Sequence, residues 1–160
     1  MKTVFLKRMA IAIIAVLVMS MTAYAQEQGT MAVGGNLVFG SGNSYTNVGL
    51  GPKFQYNITD PIRLEGSYTY YLKKNDVSMW DISANAHYLF PINELITVYP
   101  LAGLSMVGAG SGSDHEFGLN LGGGIDYKLV GNLFLNGEIK YRIGDNWDRL
   151  LISAGIAFRF

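Results

Sequence analysis

The sequence contains no cysteine. That excludes a disulfide-stapled secreted fold, and it also excludes a lipid-modified N-terminal cysteine, so no lipoprotein anchor is expected. Long apolar runs are missing too. The best, Met9–Met19, is too short for a good transmembrane helix, and nothing later supplies one. Lys2, Lys7 and Arg8 flank that run on one side and Ser20-Met21-Thr22-Ala23-Tyr24-Ala25 on the other. Basic start, apolar middle and A-x-A end predict a secretory signal peptide over residues 1–25, cut after Ala25. Losing its three basic residues leaves 9 Lys+Arg against 12 Asp+Glu, a net charge of −3. No bulk basic surface for nucleic acid survives that balance. Residues 26–160 are one domain's worth of chain, with aromatic and aliphatic residues throughout, so disorder is not expected.

Helical periodicity is nearly absent from this domain. Apolar residues recur at every second position, in segments of about ten residues, which is how membrane-spanning strands read. At the end of the chain Leu150, Ile152, Ala154, Ile156, Phe158 and Phe160 form one face, and Leu151, Ser153, Gly155, Ala157 and Arg159 the other. In the segment before it, Leu133, Leu135, Gly137, Ile139, Tyr141 and Ile143 oppose Phe134, Asn136, Glu138, Lys140 and Arg142. Phe117–Leu129, Trp80–Phe90, Ile62–Leu72 and Val48–Ile58 alternate likewise. Met31–Gly40 is glycine-rich and less decisive, and Ile96–Val107 is apolar on both faces, so its orientation stays open. Eight segments result. Tight connections at Thr59–Pro61, Pro91–Glu94 and Val130–Asn132 alternate with longer ones at Ser41–Thr46, Lys73–Ser78, Gly108–Glu116 and Gly144–Arg149. This rhythm predicts an all-β fold, an eight-stranded antiparallel up-and-down barrel.

A soluble barrel also alternates. Only 15% of residues are charged, and the polar face mixes its charges with Gly and Ser, whereas a water-facing surface is usually richer in Lys and Glu. Tyr56, Tyr88, Phe90, Tyr127, Phe158, Phe160 and Trp80 sit near segment ends on the apolar face, as interfacial girdles do. A transmembrane barrel is therefore expected. Pro52 and Pro100 fall inside strands of a sheet with no free edge, so a bulge or local irregularity is expected at each.

The C-terminal Ser153-Ala154-Gly155-Ile156-Ala157-Phe158-Arg159-Phe160 resembles the terminal assembly signal of bacterial outer-membrane barrels, with Ile156, Phe158 and Phe160 in phase. Tyr99-Pro100-Leu101-Ala102-Gly103-Leu104 and Gly137-Glu138-Ile139-Lys140-Tyr141-Arg142 resemble strands of the small OmpA/OmpX-like, opacity-protein-like family. The resemblance covers the whole chain after the signal sequence. It implies an integral protein of a Gram-negative outer membrane and cell envelope, with both termini periplasmic. It implies outer-membrane lipids and the barrel assembly machinery as partners. Family roles run from surface and adhesion proteins to narrow porin-like pores. The chain closes on its last strand, so the cell-wall-binding domain of full-length OmpA proteins is not expected.

By parity, Lys53, Arg63, Lys128, Lys140, Arg142 and Arg159 face the lumen together with Glu65, Asp81, Asp126 and Glu138, and His87 joins them. Unpaired charges in a narrow interior are costly, so these should interlock into a filled lumen. A three-residue turn at Ile58–Asp60 would set Lys53 opposite Glu65, and Glu138 could pair with Arg159 on the last strand. No catalytic residues, cofactor or metal is expected. His87 near Ser83 and Asp81 raises the possibility of a lipid-modifying hydrolase, but such a site would face lipid, whereas His87 faces inward. Asp114-His115-Glu116 offers three metal-ligating side chains at adjacent positions, which rarely converge. The glycine runs at 108–112 and 122–124 lack the Lys-Ser/Thr and the helix a phosphate loop needs. The function expected is non-enzymatic, a surface, envelope or adhesion role with a side-chain-filled lumen. A narrow channel for small solutes or ions is the alternative.

Overall fold

A computed structural model of the chain describes residues 2–19, 29–42, 45–74, 77–109, 115–144 and 148–160. One helix, α1 (Lys2–Met19), precedes the sheet and carries the expected signal sequence. No described helix is long and apolar enough to cross a membrane, and the expected cut after Ala25 lies outside the described residues.

The strands are β1 (Met31–Gly42), β2 (Tyr45–Asn57), β3 (Ile62–Lys74), β4 (Val77–Tyr88), β5 (Phe90–Pro91), β6 (Ile96–Ala109), β7 (His115–Val130), β8 (Leu133–Gly144) and β9 (Arg149–Arg159). The two-residue β5 merely prolongs β4. His87 faces Leu101 and Phe90 faces Val98, both in one unbroken register on β6. Consecutive strands pair antiparallel throughout, and β1 closes the ring on β9, with Ala32 opposite Arg159 and Ser41 opposite Leu150. The result is a closed eight-stranded antiparallel barrel, and closure leaves no strand edge unpaired.

Alternation places the side chains. Leu135, Ile139, Ile152 and Ile156 point outward and are about half exposed, while their chain neighbours Asn136, Glu138, Lys140 and Ser153 are buried in the lumen. Among the described residues no outward position of β1, β2, β6, β7, β8 or β9 holds Asp, Glu, Lys or Arg. That wall is what hydrocarbon requires. Tyr56, Tyr127, Phe158 and Phe160 lie on it, all at the end where β1 begins and β9 stops, here the terminal end. Trp80 and Phe117 lie near the opposite, loop end. The orientation left open by the sequence is resolved on β6: Tyr99, Leu101, Ser105 and Val107 face inward.

Both in-strand prolines are accommodated without a shift of register. Pro52 sits opposite Gly35, and the β2–β3 ladder skips the two pairs at Gly51 and Pro52 before resuming in the same register. Pro100 sits opposite Gly123, and the strand formed by β4 and β5 is interrupted at Leu89, beside it. A proline withholds one N–H, so the ladder shows a local gap rather than a bulge. The register shifts fall elsewhere, at Tyr71/Lys74 and Lys128/Val130. At the second, Gly131 turns the chain with φ of 54°, a left-handed conformation suited to glycine.

The strict alternation of long and short connections needs correcting. Strands run further toward the loop end than the sequence suggested, so only residues 43–44 and 75–76 separate the first two pairs there. At the terminal end, four residues separate β2 from β3.

Candidate functional site

The lumen gathers the charged residues that alternation assigned to it. Lys53, Arg63, Glu65, Asp81, His87, Asp126, Glu138, Lys140 and Arg142 are all buried. Arg159 is half-buried, and Lys128 lies at the terminal mouth. Inward glycines give the larger side chains room. A Cβ on Gly118 would lie 2.6 Å from Arg142 Nε, and one on Gly40 would lie 2.2 Å from Arg149 Nη2.

The half of the lumen nearer the terminal end holds an ion-paired network. Arg63 Nη1 donates to Asp126 Oδ2 at 2.6 Å, and Arg159 Nη2 donates to the same oxygen at 3.1 Å. Arg63 also donates from Nε to His87 Nδ1 at 3.2 Å, with Nη2 3.0 Å from that nitrogen. A guanidinium has no acceptor, so Nδ1 accepts and a neutral His87 carries its proton on Nε2. Tyr99 reinforces the group. Its ring stacks on His87, centroids 4.4 Å apart, and lies 4.8 Å from the Arg63 guanidinium carbon. Tyr99 O–H donates to Glu138 Oε2 at 2.7 Å, Asn136 Nδ2 donates to the Tyr99 oxygen at 3.2 Å, and Lys53 Nζ donates to Asn136 Oδ1 at 2.5 Å. Gln55 Nε2 donates to Glu65 Oε2 at 2.7 Å.

Nearer the loop end the arrangement changes. Arg142 and Arg149 face each other directly across β8 and β9, and both are buried. Arg142 donates from Nε to Ser105 Oγ at 2.8 Å and from Nη2 to the Glu116 carbonyl at 3.1 Å. Arg149 lies 5.1 Å over the Tyr71 ring. Tyr71 itself packs with Val38 and Leu151.

Two expected pairings are corrected. Glu65 stands opposite Gln55, and Lys53 opposite Ser67. The turn comprises Thr59–Pro61 instead of Ile58–Asp60, because Pro61 has no N–H to close the earlier pair; Ile58 N–H donates to the Ile62 carbonyl instead. Glu138 stands opposite Ser153 and takes its hydrogen bond from Tyr99, while Arg159 goes to Asp126 and stacks over Phe134 at 3.6 Å.

His87 faces the lumen, and Ser83 Oγ donates to Asp81 Oδ1 at 2.6 Å, so Ser83, Asp81 and His87 do not form a relay. In the 114–116 run, Asp114 lies outside the described residues. His115 lies against the Trp80 ring on the outer wall, centroids 5.5 Å apart, while Glu116 is on the inward-facing side of β7. Two lumen residues are not evident from the sequence: Arg149, which falls in a segment that reads as loop, and Tyr99, whose strand is apolar on both faces. The signal for Arg149 was its even spacing with Leu151 and Ser153.

A closed antiparallel ring with a buried ionic interior and an apolar outer wall over six of its strands is what a membrane-spanning barrel requires, and a known family has this form. Its sequence model, an outer membrane protein beta-barrel domain, matches residues 11–160. The chain belongs to that family. It is accordingly an integral protein of the bacterial outer membrane. Solved relatives share the fold. The N-terminal beta-barrel domain of Pseudomonas aeruginosa OprF superposes with a TM-score of 0.67 at 22% identity, over 84% of this chain and all of its own length. Neisserial surface protein A gives 0.63 at 23% identity, covering 82% of this chain and 96% of its own. Ail, the attachment invasion locus protein of Yersinia pestis, gives 0.61 at 19% identity, covering 84% of this chain and all of its own. No curated protein sequence matches the chain.

Proposed function

We propose that this protein is a non-enzymatic structural or adhesion-type barrel of the outer membrane whose lumen is closed by its own side chains. The observation that carries this reading is Arg63. It is 1% exposed and spans the bore from β3 to Asp126 on β7 and His87 on β4. Eight strands enclose an interior only wide enough for side chains, and here that interior is occupied by interlocked charged groups. The likeness to the attachment invasion locus protein supports adhesion as the class of role. Both termini lie in the periplasm, with the loop end outside the cell. Assembly proceeds through the C-terminal Ile156, Phe158 and Phe160, read by the barrel assembly machinery, and the finished wall contacts outer-membrane lipid.

The purified protein in planar bilayers tests the closed lumen, with small or no steady conductance expected. Large, steady conductance would replace this reading with the narrow-channel one. That alternative draws on a cavity of about 380 Å³ at the terminal mouth, lined by Asn57, Thr97, Lys128, Phe134 and Arg159 among others. Protease added to whole cells tests orientation, and cleavage at the loop end alone is the expected result.

A further inference from the structure

Among the described residues, the hydrogen bonds of the terminal half of the lumen fall into three separate chains. One runs Arg159–Asp126–Arg63–His87, the second Lys53–Asn136–Tyr99–Glu138, and the third joins Gln55 to Glu65. Each piece ends on a buried atom with no hydrogen-bond partner among the described residues: His87 Nε2, Glu138 Oε1 and Glu65 Oε1. The three side chains converge. His87 Nε2 is 4.0 Å from the unpartnered Glu65 Oε1 and 4.0 Å from Glu138 Oε2, the oxygen that already accepts from Tyr99 and has lone-pair capacity left, and one polar atom of each side chain lies within 4.8 Å of the others. All three residues are at most 2% exposed. Leaving His87 Nε2 and Glu65 Oε1 without partners side by side, against a second carboxylate, is costly, and native interiors rarely tolerate it.

We infer that Glu65, His87 and Glu138 form a binding site for one internal water molecule, which joins the three pieces into a single belt across the bore. The chemistry of the ends selects the guest. Arg63 occupies Nδ1, so Nε2 presents a proton and needs an acceptor, while Glu65 Oε1 needs a donor and Glu138 Oε2 can accept a second one beside Tyr99. Water accepts once and donates twice, and buried waters typically make about three such bonds. Geometry agrees. A guest about 2.8 Å from two atoms that are 4.0 Å apart sees them at about 90°, close to the angles water uses.

A divalent metal fits less well on three counts. At bonds of about 2.1 Å the same 4.0 Å separation would demand an angle near 145°, far from tetrahedral. The Nε2 proton would have to leave while Arg63 still donates to Nδ1. Lys53, Arg63, Lys140 and Arg159 already outnumber Glu65, Asp126 and Glu138 in this region, so two further positive charges would be uncompensated.

The inference rests on the filled lumen proposed above, yet its test is separate, because it reads the site and not conductance. In ¹⁵N-histidine NMR of the full chain folded in micelles, His87 should show the Nε2–H form, with a cross-peak from that proton to a water that exchanges slowly. EDTA should change nothing, and added Zn²⁺ should leave the His87 signals in place. A crystal structure should show one density peak at hydrogen-bond distance from all three residues. In Glu138→Gln the Nε2–H form should persist, and in His87→Phe the density peak should vanish while heat-modifiable gel mobility is retained. A proton on Nδ1, a Zn²⁺-shifted spectrum, or direct Glu65–His87 and Glu138–His87 bonds with no intervening density would overturn the inference.

Discussion

The two halves of the lumen close the bore by different means. Toward the terminal end, Asp126 is shared by Arg63 and Arg159, and Glu138 is held by Tyr99. Toward the loop end, two arginines stand directly opposite each other, and the partners seen for Arg142 are a hydroxyl and a backbone carbonyl, while Arg149 rests on the face of Tyr71. The first half is held by opposite charges in contact. In the second, the contacts seen among the described residues are neutral acceptors and a ring face, with Val38, Tyr71 and Leu151 clustered beside them and the buried Asp81 carboxylate bonded to Ser83. The contrast teaches that a barrel interior need not be charge-matched rung by rung. Removing a counter-charge should hurt where one is used and matter little where packing does the work.

The sharpest way to break that contrast is Asp126→Leu. It would strip the shared carboxylate from Arg63, which is 1% exposed, and from Arg159. Breaking a buried pair by removing one partner costs about 3–5 kcal/mol. Urea unfolding in lipid vesicles, followed by tryptophan fluorescence, would measure the loss. A cost near zero would mean that packing, and not pairing, holds the terminal half as well.

A charge moved from bore to wall should be punished next. Lys140 is buried in the lumen, while Ile139 beside it is 58% exposed on the outer wall. Ile139→Arg should cost about 2–4 kcal/mol near the bilayer midplane. The same unfolding assay checks it, and an unaffected variant would reverse the assignment of the two faces.

Those faces were legible in the sequence because strand alternation is a strict period of two, so one clear segment such as Leu133–Ile143 fixes every side chain in it. Pairing partners were not legible. The β2–β3 register depended on Pro61, whose missing N–H moves the turn by one residue and every pair by a full step. Nor was β6, because its inward Tyr99, Leu101 and Val107 are as apolar as its outward side. Arg149 was hidden for a related reason: strands extend past the turn signals at the loop end, so a lumen residue read as loop. The site itself was visible as a set of charges and invisible as a network, since its links run through Tyr99, Asn136 and Gln55, which carry no charge.

Glycine substitutions sharpen the comparison at smaller scale. A Cβ on Gly34 would lie 2.0 Å from the Ile156 carbonyl oxygen, so Gly34→Ala has to force β1 and β9 apart. Overpacking of this kind costs about 1–3 kcal/mol. A Cβ on Gly118 would meet the Arg142 side chain, which can move aside. Gly118→Ala should therefore cost less than Gly34→Ala in parallel unfolding curves. The opposite order would show the Arg142 seat to be the more rigid of the two.

The smallest effect is expected from Arg149→Leu. The substitution removes the Tyr71 cation–π contact, worth about 0.5–1 kcal/mol at accessible sites and more when desolvated. It also removes a like charge directly opposite Arg142, and like charges facing each other across strands are destabilising by a similar amount. Leucine restores apolar contact beside Val38, Tyr71 and Leu151. The opposing changes nearly cancel, so the variant should unfold within about 1 kcal/mol of the wild type. A loss as large as that of Asp126→Leu would show that Arg149 is held by charge after all, and the two halves of the bore would then follow one rule.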